Sequence, residues 1–325
     1  MARFTTQHAA FGKYETVILR DTRTGAEAQV ALFGANLLAY RVQVNGKSFD
    51  VTDGFQTPEE LEAGKGGRAW IMSPFSNRID EGRYSFGGKQ HSIPMPDPSR
   101  RVVLHGFVRQ LPFVIAKEDA GDSSASLTLV NCAIRPGAFE GYPFAVDVSV
   151  SFTLREGALD VAISGKNVGN EAAFFGCGWH PYFRASEDGI ETGDRLLPVA
   201  GKEAFADMDS APTLDFRPGR PGNGNIIAGR QLDGAFRDLA ADADGLARSY
   251  IENPDTGLRV AVFQERGLMH VFTGDTLPFR KRNSVALEPV EFMTNAVNRP
   301  ECAGEIGLAP GAERSFRFGI EAGVR

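Results

Sequence analysis

The chain has 325 residues and a formal charge of −6, from 35 Lys and Arg against 41 Asp and Glu. This acidic balance argues against a nucleic-acid partner, which selects for basic surfaces. No stretch approaches the roughly 18 consecutive apolar residues of a membrane span, and residues 1–8 lack the apolar run of a secretory signal. Because Cys132, Cys177 and Cys302 are far apart, they predict buried, reduced thiols in a cytoplasmic protein rather than disulfides or a zinc site.

Short apolar or alternating runs, separated by turn residues, dominate the chain and predict β-strands. They lie at residues 16–19, 29–33, 37–44, 127–130, 146–154, 159–163, 258–263, 285–287 and 316–320. The clearest alternation, at 146–154, is joined by the turn 155–157 to a returning strand. The pattern predicts an all-β sandwich or barrel, one large domain over residues 1–325, and a long loop at 218–229.

One short helix is predicted after Thr57. Pro58 then occupies the first helical position, and Glu60 follows the capping threonine by three residues. Gly64 and the pair Gly66 and Gly67 limit this helix to a few residues.

Two histidines have surroundings that suit a functional role. His180 lies in the sequence G-W-H-P-Y-F, where Pro181 favours an extended backbone and excludes a helix. A histidine held in this way beside aromatic residues is a candidate proton donor or acceptor over a sugar. His105 precedes Gly106, which permits close approach of backbone or ligand. For both histidines a structural role remains an alternative.

The other three histidines have ordinary interpretations. His8 and His91 are expected on the surface, His91 in a loop before a proline-rich segment. His270, in L-M-H-V-F, is expected at a partly buried strand position.

Charged candidates lie in three further segments. Glu288 ends an apolar strand before a proline, and burial there would raise its pKa toward a useful value for a base. Glu291 follows by three residues and would face the other way in a strand, so a local glycosidase pair is not supported. Asn77 and Arg78 lie in an apolar segment, where Arg78 needs either an ion pair or ligand oxygens. Asp233 precedes a glycine, and a turn is its common alternative.

Together and in order, these segments resemble the aldose 1-epimerase (galactose mutarotase) family. The matching pieces are N-R-I at 77–79, L-H-G at 104–106, G-Y-P at 141–143, H-P-Y-F at 180–183, L-D-x-x-F at 232–236, L-E-P at 287–289, N-A-V-N at 295–298 and L-A-P-G at 308–311. The resemblance implies an all-β fold, the β-supersandwich of large antiparallel sheets with few short helices. It also implies a small-molecule aldose as partner, no cofactor and no metal, in a monomer or homodimer.

The resemblance implies roles for the matching residues. Glu288 would be the general base that removes the proton from the C1 hydroxyl, and His180 the general acid that protonates the ring oxygen. The substrate-binding residues would be His105, Arg78, Asp233 and Asn77, with Asn77 orienting Arg78. Trp179, Tyr182 or Phe272 would supply an aromatic face for the sugar.

Three departures from the family pattern bear on the substrate. The segment before Asn77 reads S-P-F-S, where G-R-x-A is usual. Phe107 stands where L-H-G-G is usual, and Arg184 follows H-P-Y-F. Three alternatives stay open: a hexose-6-phosphate epimerase using the basic segment 280–282, a carbohydrate-binding or sensor protein without turnover, and a metal-dependent hydrolase with His105, His180 and Glu288 as ligands. The last lacks the short H-x-H or H-E-x-x-H spacing.

Overall fold

The computed structural model describes residues 2–95, 101–191, 195–197, 201–205, 215–216, 227–229 and 231–324. Its strands are β1 (Phe4–Phe11), β2 (Tyr14–Asp21), β3 (Glu27–Ala31), β4 (Asn36–Val44), β5 (Lys47–Asp50), β6 (Trp70–Met72), β7 (Arg78–Asp80), β8 (Arg83–Phe86), β9 (Lys89–Ser92), β10 (Val102–Leu104), β11 (Val114–Ala120), β12 (Ser124–Ile134), β13 (Val146–Arg155), β14 (Ala158–Asn167), β15 (Ala173–Phe174), β16 (Gly178–His180), β17 (Tyr182–Phe183), β18 (Arg195–Leu197), β19 (Gly201–Phe205), β20 (Asp215–Phe216), β21 (Asp233–Arg237), β22 (Ala247–Glu252), β23 (Leu258–Gln264), β24 (Leu268–Phe272), β25 (Val285–Val290), β26 (Gly307–Leu308) and β27 (Glu313–Val324). The helices are α1 (Pro58–Ala63) and the 3₁₀ turns Val108–Gln110, Ala296–Asn298 and Pro300–Cys302. Most of the loop predicted at 218–229 lies outside the described residues.

Three antiparallel sheets form the bulk of the described structure. The first is a meander of β1 to β5 in chain order. The second has the order β11-β12-β13-β14-β27-β23-β22-β18, and strands of the first sheet pack against it. The third, which we call the site sheet, has the order β20-β19-β21-β24-β25-β16-β6, with β17 also paired to β25. The predicted all-β architecture of large antiparallel sheets is therefore confirmed.

The strands predicted from alternation lie where the sequence indicates. In β13 every second side chain is buried and the intervening ones are partly exposed, because a strand directs successive side chains to opposite faces. The turn 155–157 joins β13 to β14 with a continuous antiparallel register, as predicted.

The predicted helix is present as α1. The Thr57 side chain accepts a hydrogen bond from the Glu60 amide at 3.2 Å, which caps the first turn. Gly64 ends the helix in the left-handed conformation, with φ 63°. The helix stops beside the segment 64–67, which forms one rim of the cleft described below.

One strand of the site sheet shows how its two faces differ. Trp179 on β16 is fully buried and stacks on Phe318 of β27, with ring centroids 5.6 Å apart. The adjacent His180 points to the opposite face because side chains alternate along a strand. The site sheet therefore packs one face against the second sheet and presents the other to a cleft.

Two expectations about single residues are wrong. Cys132 is exposed rather than buried, whereas Cys177 and Cys302 are buried and all three are free thiols. His91 lies in β9 rather than in a loop: it pairs with Tyr84 of β8, and the two rings stack with centroids 4.8 Å apart. Within the described part of the chain, no helix has the length and apolar character needed to cross a membrane.

Candidate active site

A row of four side chains crosses the face of the site sheet that is directed away from the second sheet. The register sets His270 opposite Glu288 and His180 opposite Trp70. Gly178 pairs with Val290, so two residues further along β16 His180 comes beside Glu288. The row Trp70, His180, Glu288 and His270 lies in a cleft of about 600 Å³. Pairing between strands distant in sequence is therefore what assembles the site.

His180 and Glu288 form a close pair at the base of this cleft. His180 Nε2 lies 3.3 Å from Glu288 Oε1, and the two side chains are 11% and 2% exposed. Burial lowers the pKa of His180, although the negative charge of Glu288 opposes that shift. Within the described structure, His180 Nδ1 and Glu288 Oε2 have no hydrogen-bond partner. Buried polar atoms without partners mark a site that a ligand can complete.

Tyr182 and the backbone of the segment 64–69 hold His180 in position. The Tyr182 ring stacks on His180 with centroids 5.1 Å apart, and its hydroxyl donates to the Gly66 carbonyl at 2.9 Å. The Ala69 amide donates to the His180 carbonyl at 2.8 Å. The imidazole is thus fixed through both its ring and its main chain.

The three aromatic residues expected to face the sugar have different positions. Tyr182 and Phe272 line the cleft, together with Trp70. Trp179 does not, because it belongs to the core on the other side of the sheet. Tyr182 and Phe272 are in edge contact at 6.4 Å and form one apolar end of the cleft.

A second wall of the cleft comes from the small sheet of β7 and β10, in which Arg78 pairs with Leu104. Arg78 Nη1 donates to Asn77 Oδ1 at 2.9 Å, the contact expected of an orienting asparagine. The His105 amide donates to the Asn77 carbonyl at 2.9 Å. Asn77, Arg78 and His105 therefore reach the cleft as one unit.

The backbone at His105 explains the glycine that follows it. His105 has φ 60°, a conformation costly for a non-glycine residue and frequent at functional sites. A Cβ on Gly106 would lie 2.0 Å from the Ser73 carbonyl oxygen, so only glycine fits there. Arg109 Nη1 donates to the Leu104 carbonyl at 3.1 Å and supports the turn. Burial lowers the pKa of His105 well below its usual value, and the positive neighbours His180 and Arg109 add to this.

His270 is a site residue that the sequence interpretation missed. It is buried, it lines the cleft, and its Nε2 lies 2.9 Å from Asp233 Oδ1. Burial opposes protonation of His270, but the charges of Glu288 and Asp233 outweigh it and raise its pKa. For Asp233, burial acts to raise the pKa, yet the hydrogen bond from His270 and its charge produce a net lowering. The missing signal was the register that sets His270 against Glu288, which a single sequence does not contain.

All six candidate residues line the cleft: Asn77, Arg78, His105, His180, Asp233 and Glu288. Glu291, by contrast, is buried elsewhere and accepts from Arg266 Nη2 at 2.9 Å. Across the described ranges, no group of three or more His, Cys, Asp or Glu side chains is arranged to hold a metal ion.

Two of the departures from the family pattern, Phe107 and Arg184, fall outside the cleft. Phe107 stacks on Phe139 at 4.4 Å within an aromatic cluster. Arg184 donates to the Asp50 carbonyl at 3.2 Å and lies over the Phe49 ring. Neither residue lines the cleft, so neither changes its shape directly.

The basic segment 280–282 is also away from the cleft lining. Arg280 pairs with Glu60 at 2.8 Å and with Asp53 at 3.3 Å. Arg282 pairs with Asp275 at 2.8 Å. Carboxylates of the protein therefore already neutralise both arginines.

The chain is similar to known proteins in sequence and in fold. The model of the aldose 1-epimerase family matches residues 16–321. The uncharacterized protein YihR of Escherichia coli strain K12 is 27% identical over 252 residues, 74% of each chain. A galactose mutarotase-like protein from Clostridium acetobutylicum has a TM-score of 0.81 at 17% identity, covering 100% of this chain and 99% of that one. Galactose 1-epimerase from Lactobacillus acidophilus NCFM has a TM-score of 0.78 at 14% identity, covering 99% of both chains. These two structures share the predicted fold.

Proposed function

The chain belongs to the aldose 1-epimerase family, and on that premise we propose that it is an isomerase interconverting the α- and β-anomers of an aldose. In this reaction the C1 hydroxyl loses a proton, the ring oxygen gains one, and the bond from C1 to the ring oxygen breaks. The free aldehyde rotates about its bond to C2, and reclosure on the other face gives the other anomer. Proton transfer in both directions is the chemistry the side chains must supply.

The observation that carries this proposal is the buried pair of His180 and Glu288, 3.3 Å apart. The C1 hydroxyl and the ring oxygen are both bonded to C1, so the acid and the base must lie close together. Glu288 takes the hydroxyl proton while the imidazolium of His180 gives its proton to the ring oxygen. On reclosure the two residues exchange roles, which returns each proton to its origin.

Burial of the pair favours the chemistry. The lowered pKa of His180 makes its imidazolium a stronger acid, while the neighbouring Glu288 charge supports the protonated form. Each positioned acid or base typically contributes roughly 10²- to 10⁴-fold in rate. Two such groups suffice for a reaction that water alone already permits slowly.

The remaining cleft residues bind and orient the sugar. Arg78, held by Asn77, offers donors to hydroxyl oxygens, and Asp233 offers acceptors to hydroxyl protons. The lowered pKa of His105 keeps its imidazole uncharged. It can therefore bind a sugar oxygen without adding a second positive charge beside His180 and Glu288. Tyr182 and Phe272 offer ring surface to the C–H groups of the sugar.

Polarimetry of freshly dissolved α-anomers tests this function. The panel is glucose, galactose, xylose, arabinose and glucose 6-phosphate, with Glu288→Gln as the inactive variant. Glu301→Gln is the matched control, because Glu301 is half exposed and lies outside the cleft lining. We expect the wild type and Glu301→Gln to accelerate mutarotation of at least one sugar, and Glu288→Gln to lose about 10²- to 10⁴-fold in rate. A folded wild type that binds a sugar without accelerating its mutarotation would instead make the chain a sensor.

We also propose a cytoplasmic location, in which Cys132, Cys177 and Cys302 remain reduced. All three are free thiols, and the exposed thiol of Cys132 persists in a reducing compartment.

A further inference from the structure

His270 is the one buried titratable side chain of the cleft to which the proposed reaction gives no role. It lies on β24 between two acidic residues, with Asp233 on β21 and Glu288 on β25. Its Nε2 is 2.9 Å from Asp233 Oδ1, and its side chain is 7% exposed whereas that of Asp233 is 50% exposed. A buried donor thus fixes an accessible carboxylate.

We propose that His270 is a positioning residue: as an imidazolium it holds the Asp233 carboxylate toward the sugar and adds a positive charge beside the pair of Glu288 and His180. This inference rests on the proposed function of the cleft. Asp233 is half exposed, so water competes with His270 for hydrogen bonds to its carboxylate. A charged donor holds the carboxylate against this competition better than a neutral one. An ion-paired hydrogen bond is shorter and stronger than a neutral one.

Charged side chains on both strands paired with β24, and on the segment that carries Arg78, act on His270. Asp233 and Glu288 favour its protonated form, and Arg78, whose segment shares a small cavity with His270, opposes it. His180 and His105 are the other titratable neighbours, and the His270 charge acts to lower the pKa of each. With two carboxylates against one guanidinium, the net field favours imidazolium.

The pH dependence follows from these signs. The pKa of His270 is raised, so the stability from its ion pair is fully present below the ordinary histidine value of about 6.5 and is lost as pH rises through the raised pKa. Replacing His270 by a neutral residue removes a charge that lowers the pKa of His180. The alkaline limb of kcat/KM, produced when His180 loses its proton, should then move to higher pH.

Histidine NMR titration of the full-length protein tests the coupling without any turnover. We expect His270 to titrate above the ordinary histidine range in the wild type, and at lower pH in both Asp233→Asn and Glu288→Gln. We expect His180 to titrate at higher pH in His270→Gln than in the wild type. A His270 pKa at or below the ordinary value, unmoved by Asp233→Asn, would overturn the proposal.

Kinetics of two variants separates positioning from a merely structural role. His270→Gln retains a donor but loses the charge, so it should raise KM less than His270→Phe does while still shifting the alkaline limb. His270→Phe removes the donor and should raise KM and lower kcat/KM by about 10- to 100-fold, because misplacing a binding group by about 1 Å is that costly. Equal KM values for both variants and the wild type, with unchanged pH profiles, would contradict the assignment. Failure of the wild type to turn over any sugar would refute the proposed function, while the titrations would still decide whether His270 is coupled to Asp233 and Glu288.

Discussion

Replacing Arg68 by Met should destabilise the protein strongly, because Arg68 is the main partner of a buried carboxylate behind the cleft. Arg68 and Asp53 are 0% and 1% exposed at the side chain, and Arg68 Nη1 lies 2.5 Å from Asp53 Oδ2. Arg68 also lies over the Tyr182 ring at 5.1 Å, and the Asp53 amide donates to the Tyr182 carbonyl at 3.0 Å. The ion pair therefore supports the residue that stacks on His180.

The expected magnitude follows from what remains after the substitution. Removing one partner of a buried ion pair typically costs about 3–5 kcal/mol. Asp53 keeps a hydrogen bond from Ser284 at 2.7 Å and the Arg280 guanidinium at 3.3 Å. We therefore expect the lower end, about 3 kcal/mol. With an unfolding entropy of about 2.1 cal/mol/K per residue over the 325 residues, this corresponds to a fall in Tm of about 4 °C.

Differential scanning calorimetry and urea unfolding measure the effect. The matched control is Lys89→Met, which breaks an exposed ion pair with Glu171 whose side chains are 66% and 75% exposed. Exposed ion pairs contribute little to stability, so Lys89→Met should have nearly the same Tm as the wild type. Equal Tm values for Arg68→Met and Lys89→Met would show that the buried Asp53 does not depend on Arg68.

Three further substitutions test individual positions. His180→Asn should lower kcat by about 10²- to 10⁴-fold, because the amide cannot deliver a proton, while sugar titration shows nearly unchanged affinity; weakened affinity alone would speak against the acid role. Gly106→Ala should lower kcat/KM about tenfold or more by displacing His105, since the added Cβ would lie 2.0 Å from the Ser73 carbonyl oxygen; wild-type kinetics in polarimetry would show that the turn tolerates the change. Arg280→Ala should leave the ratio of kcat/KM for glucose and glucose 6-phosphate unchanged, because Arg280 is paired away from the cleft lining; a selective loss with the phosphate would reverse that assignment.

Local patterns in the sequence predicted the helix α1 and those strands whose apolar runs or alternation are clear. The alternation in β13 and the capping threonine of α1 are local features, since burial and hydrogen bonding there depend on neighbours within a few residues. The order of the strands within the three sheets was not predictable from such local patterns. It depends on pairing between strands as distant as β14 and β27, which no local pattern encodes.

In the candidate site, too, local motifs predicted some residues and strand pairing alone places others. His180 and Glu288 were predicted because each carries a proline-marked local motif and a family resemblance. His270 has no such motif, and only the pairing of β24 with β25 places it in the cleft. Trp179 shows the reverse error: its position in the motif suggested a sugar contact, but strand alternation directs it into the core.

The catalytic role of the His180 and Glu288 pair is best tested by anomer exchange at equilibrium, measured by NMR magnetisation transfer between the α- and β-C1 protons of the best sugar. The wild type should produce exchange above the buffer rate, and Glu288→Gln should reduce that exchange by about 10²- to 10⁴-fold while still binding the sugar. Undiminished exchange in Glu288→Gln would contradict the role of the His180 and Glu288 pair.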